Sequence, residues 1–299
     1  MLGLALAMVA CTATLALLIC WAARTPGVAE LAGWAARYDL ELHREDRPWV
    51  ASELRRGRLL RTLAFVVTLA IGGGASFWWA ARHQVPSAPF PLDVLSHPAA
   101  WATGYLVGAT AAELTRRRPS PQPIRTAALV PRRLGDYVPA WMLWIERGVA
   151  LAALALALVG SPAVTGASPM TDHPLARGIA AIAVAMVVEV ALRYMVRRPQ
   201  PVASSSELVV DDALRSTAIH RTAGSGLAAL LFLLGRQFAG LIGQWWALDG
   251  LAYLVCYGLA IGAWKDLSVP MRWPIRRARA AGRSGGPPVP RHDPGRGPA

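Results

Sequence analysis

Residues 1–23, MLGLALAMVACTATLALLICWAA, carry no charged side chain, and several later stretches are almost as apolar. About 20 consecutive apolar residues span the hydrocarbon core of a bilayer as a helix, because no other open-chain conformation satisfies its own backbone hydrogen bonds there. Seven segments meet or approach that requirement: approximately 1–23, 60–81, 94–114, 143–165, 176–196, 218–239 and 245–264. The sequence therefore predicts an all-α polytopic transmembrane bundle of about seven spans over residues 1–271. Residues 272–299, rich in Arg, Gly and Pro, cannot bury a core and are expected to form a disordered basic cytoplasmic tail. With 54% hydrophobic and 16% charged residues, the chain falls below the roughly 25% charged content of soluble domains. The first run has no basic residue before Arg24 and is too long for a signal-peptide core, so it is read as a retained first span.

The arginines set the orientation. Of the 31 basic residues only Lys265 is a lysine, and only Arg82, Arg177 and Arg236 fall outside segments 24–61, 116–147, 193–221 and 265–299. With seven spans those four segments share one side. The positive-inside rule puts them in the cytoplasm, with the N-terminus outside and the C-terminus inside. Localisation in a bacterial cytoplasmic membrane, as a multi-pass protein, follows. Tryptophans at the expected inner ends (Trp21, Trp141, Trp144, Trp264) and outer ends (Trp78, Trp79, Trp245, Trp246) suit headgroup-level indoles. The net charge of +13 is explained by contact with the lipid bilayer, whose anionic headgroups attract juxtamembrane basic residues at about 1 kcal/mol each. Nucleic acid is not an expected partner, whereas a membrane-complex partner is.

Chemistry-bearing motifs are sparse. Cys11, Cys20 and Cys256 lie inside apolar runs without metal-ligand spacing. His43 stands alone among Glu41, Glu45 and Asp46, with arginines interleaved, which disfavours a metal site; an amphipathic helix resting Trp34 and Trp49 on the inner leaflet fits that loop better. Asp211-Asp212 suggests half of an Asp-rich diphosphate site, but Arg215 occupies the position where the i+4 carboxylate is needed, and no second Asp-rich motif exists. The pair is read instead as a helix start: Asp211 as cap, Asp212 in the first turn, Ser204 with Glu207 as a capping box, and Arg215 poised to pair with either aspartate. His220 is expected at the interface. No catalytic, cofactor or metal set is indicated.

Ionisable residues within spans are functional candidates by default. Arg236 and Asp249 flank the proposed outer turn GLIGQ and are predicted to pair between adjacent helices. Glu189 and Arg193 have the favourable i, i+4 helical spacing. Glu113 and Glu146, near the inner ends, either line a polar vestibule together with Glu189 or pair between helices; the second is favoured. Gly72 to Gly74, and the GxxxG of Gly104 and Gly108, permit close helix packing. The strings 117–134 and 197–214 share Arg-Arg-Pro at a spacing of 80 residues, either a duplicated unit or a coincidence of two basic membrane stops.

The strings AALVPRRLGDYVPAW (127–141), LVVDDALRSTAIHRTAGSG (208–226) and GYLVGATAAELTRRRP (104–119) resemble uncharacterised multi-pass membrane proteins of actinobacteria. The resemblance covers roughly the third to sixth spans. It implies a membrane location and carries no activity or site residue with it. The expected role is a non-enzymatic membrane component, such as a permease subunit that lacks its own P-loop. The alternative is an autonomous small-molecule transporter, and an intramembrane enzyme comes third.

Overall fold

The computed structural model describes residues 2–83, 98–116, 133–160, 174–198, 205–242, 254–256 and 258–262. Among them there is helix and no strand. The elements are α1 (Leu2–Ala23), α2 (Val28–Arg37), α3 (Arg47–His83), α4 (Pro98–Leu114), a 3-10 turn (Leu134–Asp136), α5 (Ala140–Val159), α6 (Pro174–Arg197) and α7 (Ser205–Ile242). Pro98 and Pro174 occupy the first position of their helices and Pro48 the second of α3, where the missing N–H would have had no intrahelical partner anyway.

Among the described residues four helices are long and apolar enough to cross a membrane: α3, α5, α6 and α7; α1 with α2, bent by 72° at their junction, makes a fifth candidate. This is fewer than the seven spans expected. α4 holds only 17 residues, about 25 Å at the α-helical rise. The predicted span 245–264 lies mostly outside the described residues, as does the tail 272–299. Two boundaries also moved. α3 begins at Arg47 rather than near 60, and α7 at Ser205 rather than 218. Both extensions are polar, so a hydropathy criterion stops short of them, while the helix continues because neighbouring elements satisfy its side chains.

α7 is the axis. In its most apolar window 78% of residues are buried, against 11 to 33% for the other three single helices. The hairpin of α3 and α4 packs on one side of it through α4, and the hairpin of α5 and α6 packs on the other, with α1 outside α3. The mid-bundle core is alanine-rich: Ala99, Ala102, Ala150, Ala153, Ala181, Ala228 and Ala229, with Leu230 and Phe232. Small side chains let helices approach where no water is expelled and van der Waals contact must drive association. Large apolar residues instead face outward, among them Ile71, Leu151, Leu158, Ile179, Met186 and Val190, each more than half exposed. An apolar perimeter of this kind around a small-residue interior suits lipid rather than water.

Gly104 and Gly108 are points of close approach between α4 and α3. A Cβ on Gly108 would stand 2.6 Å from the Leu60 carbonyl oxygen and 2.7 Å from the Arg61 Cα, and one on Gly104 would strike Thr68. The GxxxG thus seats α4 on the backbone of α3. Gly73 and Gly74 face open space and contribute no such contact.

Contacts between helix ends bring the beginnings of α3, α5 and α7 together with the ends of α1, α4 and α6. That end holds the described parts of the arginine-rich segments 24–61, 116–147 and 193–221, and is called the basic end below.

Candidate functional site

The first half of α7 inverts the usual arrangement of an amphipathic helix. Asp211, Arg215, Ser216, Thr217, His220, Thr222 and Ser225 are all buried, at 6% exposure or less. Polar groups are costly to bury unless partnered, so each requires an explanation.

Arginine forks supply much of it by capping helix ends. The last carbonyls of a helix have no intrahelical donor and carry the negative end of its dipole. Arg215 donates to the carbonyls of Arg198 (2.8 Å) and Val196 (3.3 Å) at the end of α6. Arg198 donates to the carbonyls of Glu113 and Arg116 at the end of α4, and Arg56 of α3 donates to those of Ala112 and Thr115. Carboxylates join the forks. Asp211 pairs with Arg116 through a short hydrogen bond and with Arg215 at 3.7 Å, while Glu113 lies 3.6 Å from Arg116 and 3.7 Å from Arg198. Glu53 holds Arg56 at 2.7 Å. The result is a buried relay from the end of α6 through Arg215, Asp211, Arg116, Glu113 and Arg198 to the end of α4.

Asp211 and Asp212 are therefore not a cap. They are the seventh and eighth residues of a helix that begins at Ser205, in its second turn. Asp211 is 5% exposed inside the relay, and Asp212 accepts a short hydrogen bond from Tyr137 beside the 3-10 turn. Ser204, the other half of the proposed capping box, is outside the described residues. His220 is buried rather than interfacial; its Nδ1 lies 2.8 Å from the Ser216 carbonyl, and since a carbonyl only accepts, that nitrogen carries the proton.

α2 completes the site from outside. Trp34 does not rest on lipid: it is 6% exposed and its Nε1 donates to Thr217 Oγ1 at 3.1 Å. The Tyr38 hydroxyl is 2.6 Å from the same oxygen. Thr217 gives its single hydroxyl proton to the Ala213 carbonyl at 3.0 Å, so Tyr38 must be a donor as well. Burial pushes the Tyr38 phenol up to about 12, which keeps it a neutral donor across the physiological range. Apolar packing of Leu31, Ala35, Val50, Ala51, Leu54, Val210 and Leu214 surrounds this polar centre. The chain then leaves α2 through Asp39, whose φ of 51° turns it toward α3.

Thr217→Val would preserve shape while removing the acceptor of the buried Trp34 Nε1–H. The expected loss is about 1–3 kcal/mol for that unsatisfied donor. Tyr38→Phe, which strands nothing, should cost about 1 kcal/mol. Denaturant titration in detergent, followed by far-ultraviolet circular dichroism, distinguishes these; equal effects would refute the shared-acceptor geometry.

A smaller polar group sits between α5 and α6. Glu189 binds Arg193 at 2.7 Å and Arg147 at 2.9 Å, and Glu146 beside it is 4% exposed. Among the described residues Glu113 shares no ion-pair partner with Glu189: Glu113 is paired across the ends of α4 and α6, and Glu189 across α5 and α6, the interhelical pairing that the sequence favoured. Arg236 is half-buried near the end of α7, and its expected partner Asp249 is outside the described residues. Most of the 80-residue echo falls there too.

The sequence reading missed Arg116, Arg198 and Arg61 as site residues and misplaced Asp211. The local signals were the i, i+4 spacing of Asp211 and Arg215 and the i, i+3 spacing of Glu113 and Arg116; the links between α4 and the other helices join residues 85 to 95 positions apart. Among the described residues no group of three His, Cys, Asp or Glu side chains has the arrangement of a metal site.

No protein-family model, curated protein or solved structure matches the chain, so the resemblance noted above rests on the quoted strings alone.

Proposed function

We propose that this chain is a multi-pass protein of the bacterial cytoplasmic membrane, with its basic end in the cytoplasm, acting as a non-enzymatic membrane component that engages a partner there. The observation that carries the reading is the buried ion relay. Charged residues that a translocation path would place along a passage are instead consumed in joining α3, α4, α6 and α7 at the end where substrate would have to leave. Interhelical pairs and arginine-capped termini make a rigid platform, because removing either member of a buried pair leaves an uncompensated charge. Against this platform the α1–α2 junction remains presented, with Val28 75% exposed.

One observation favours a second reading, an autonomous transporter. Glu146 is buried with Glu189 nearby, and among the described residues no ion pair holds it. A carboxyl so placed within a span can carry a proton. Affinity purification from the native membrane separates the two. The component reading expects a stoichiometric co-purifying protein whose recovery falls at least tenfold with Val28→Asp. A protein recovered alone, together with loss of solute uptake in Glu146→Gln, would overturn it in favour of transport.

A further inference from the structure

The ion relay leaves a charge imbalance in one place. Around it stand six guanidinium groups, of Arg56, Arg61, Arg116, Arg198, Arg215 and Arg221, against three carboxylates, of Glu53, Glu113 and Asp211. Four of the six arginines are held by those carboxylates. Arg61 and Arg221 are not: among the described residues neither has a carboxylate within ion-pair distance. Arg61 is 7% exposed, lies over the Tyr105 ring at 5.6 Å, and is near enough to Arg221 for the two like charges to act on each other. A buried cation opposed by a second cation is an unfavourable arrangement without a counter-ion.

Both side chains open onto the same cleft. It has a volume of about 40 Å³ and lies between α3, α4 and α7, lined by Arg61, Arg116 and Arg221 together with Glu53, Glu113 and Thr217. Such a volume takes about three water molecules, or one tetrahedral oxyanion. Arg116 brings an independent signal: its Nε is buried and has no hydrogen-bond partner, although its two terminal nitrogens are engaged by Glu113 and Asp211. Gly57 also lines the cleft, and a Cβ there would sit 3.1 Å from Arg61 Nη1, so the glycine leaves room for the guanidinium.

We infer that the cleft between Arg61, Arg116 and Arg221 binds a phosphate group, whether the phosphodiester of an anionic lipid headgroup or a free phosphate. Guanidinium forks match phosphate oxygens in pairs, and the phosphate supplies the negative charge that this cluster lacks. The lipid source rests on the reading that the basic end lies at the headgroup level of the inner leaflet; the free source does not.

The test is thermal unfolding of the full chain reconstituted in phosphatidylcholine vesicles, with or without inorganic phosphate, and in vesicles containing phosphatidylglycerol. Chloride at matched ionic strength is the reference. A rise in midpoint with inorganic phosphate identifies a free ligand, and a rise only with phosphatidylglycerol identifies a lipid. Either supports the site, provided Arg61→Met and Arg221→Gln each weaken the half-saturating concentration at least tenfold and Arg44→Gln, an exposed arginine away from the cleft, does not. Without any anion, Arg61→Met should unfold at the wild-type temperature or higher, since it removes an unbalanced charge. No rise with either source, or a rise that survives in the Arg61→Met/Arg221→Gln double variant, would overturn the inference. Recovery of a protein partner is measured separately, so failure of one proposal does not entail failure of the other.

Discussion

Gly108→Leu is expected to prevent α4 from docking on α3 and to abolish recovery of folded protein. The Leu60 carbonyl oxygen and the Arg61 Cα stand 2.6 and 2.7 Å from the place a Cβ would take. Both are backbone atoms of a continuous helix and cannot rotate aside as a side chain would. Overpacking a well-filled interface commonly costs about 1–3 kcal/mol, and a backbone collision should sit at or above the top of that range. The damage would spread, because α4 also carries Glu113 and leads into Arg116, and any displacement pulls both away from Asp211 and Arg198. Gly108→Ala should show the same defect in weaker form. Gly73→Ala, in open space on α3, should be neutral or stabilising by up to about 1 kcal/mol, from helix propensity alone. Yield of monodisperse protein after size-exclusion chromatography reads all three. A normal yield for Gly108→Leu would mean that α3 and α4 are not in backbone contact.

Asp211→Ala should be the most damaging change in the relay. It leaves Arg116 and Arg215, 8% and 1% exposed, without their shared counter-charge. Breaking a buried pair by removing one partner costs about 3–5 kcal/mol, most of it the desolvated charge left behind. Asp211→Leu combined with Arg116→Met should recover part of that loss, because it removes the stranded charge along with its partner. Additive effects in this double-mutant cycle would contradict direct coupling. Asp212→Ala should cost less, since losing the hydrogen bond that Asp212 accepts from the neutral Tyr137 hydroxyl strands no charge there. That contrast separates the relay from helix capping, under which both aspartates would act at the helix start and differ little.

The six described long helices all overlap spans expected from apolar runs, and the described parts of three arginine-rich segments, 24–61, 116–147 and 193–221, gather at one end. What sequence reasoning got wrong was polar. It ended α3 and α7 where the apolar pattern faded, though both continue by more than a full turn through charged residues. It treated Trp34 as a lipid anchor and Asp211 as a cap, assuming that polar residues near a span lie in water or headgroups.

The sequence by itself determined helix. A bilayer-length apolar run must satisfy its backbone internally, which leaves helix as the conformation such a segment takes. Only the tertiary structure decided which charges are buried and which remain unbalanced. Arg61 and Arg58 are three residues apart on one helix, yet Arg58 reaches Glu30 while Arg61 faces Tyr105 and the cleft beside Arg221. That difference depends on how close α4 comes to α3, which the absent side chains of Gly104 and Gly108 permit and no local pattern of charge specifies.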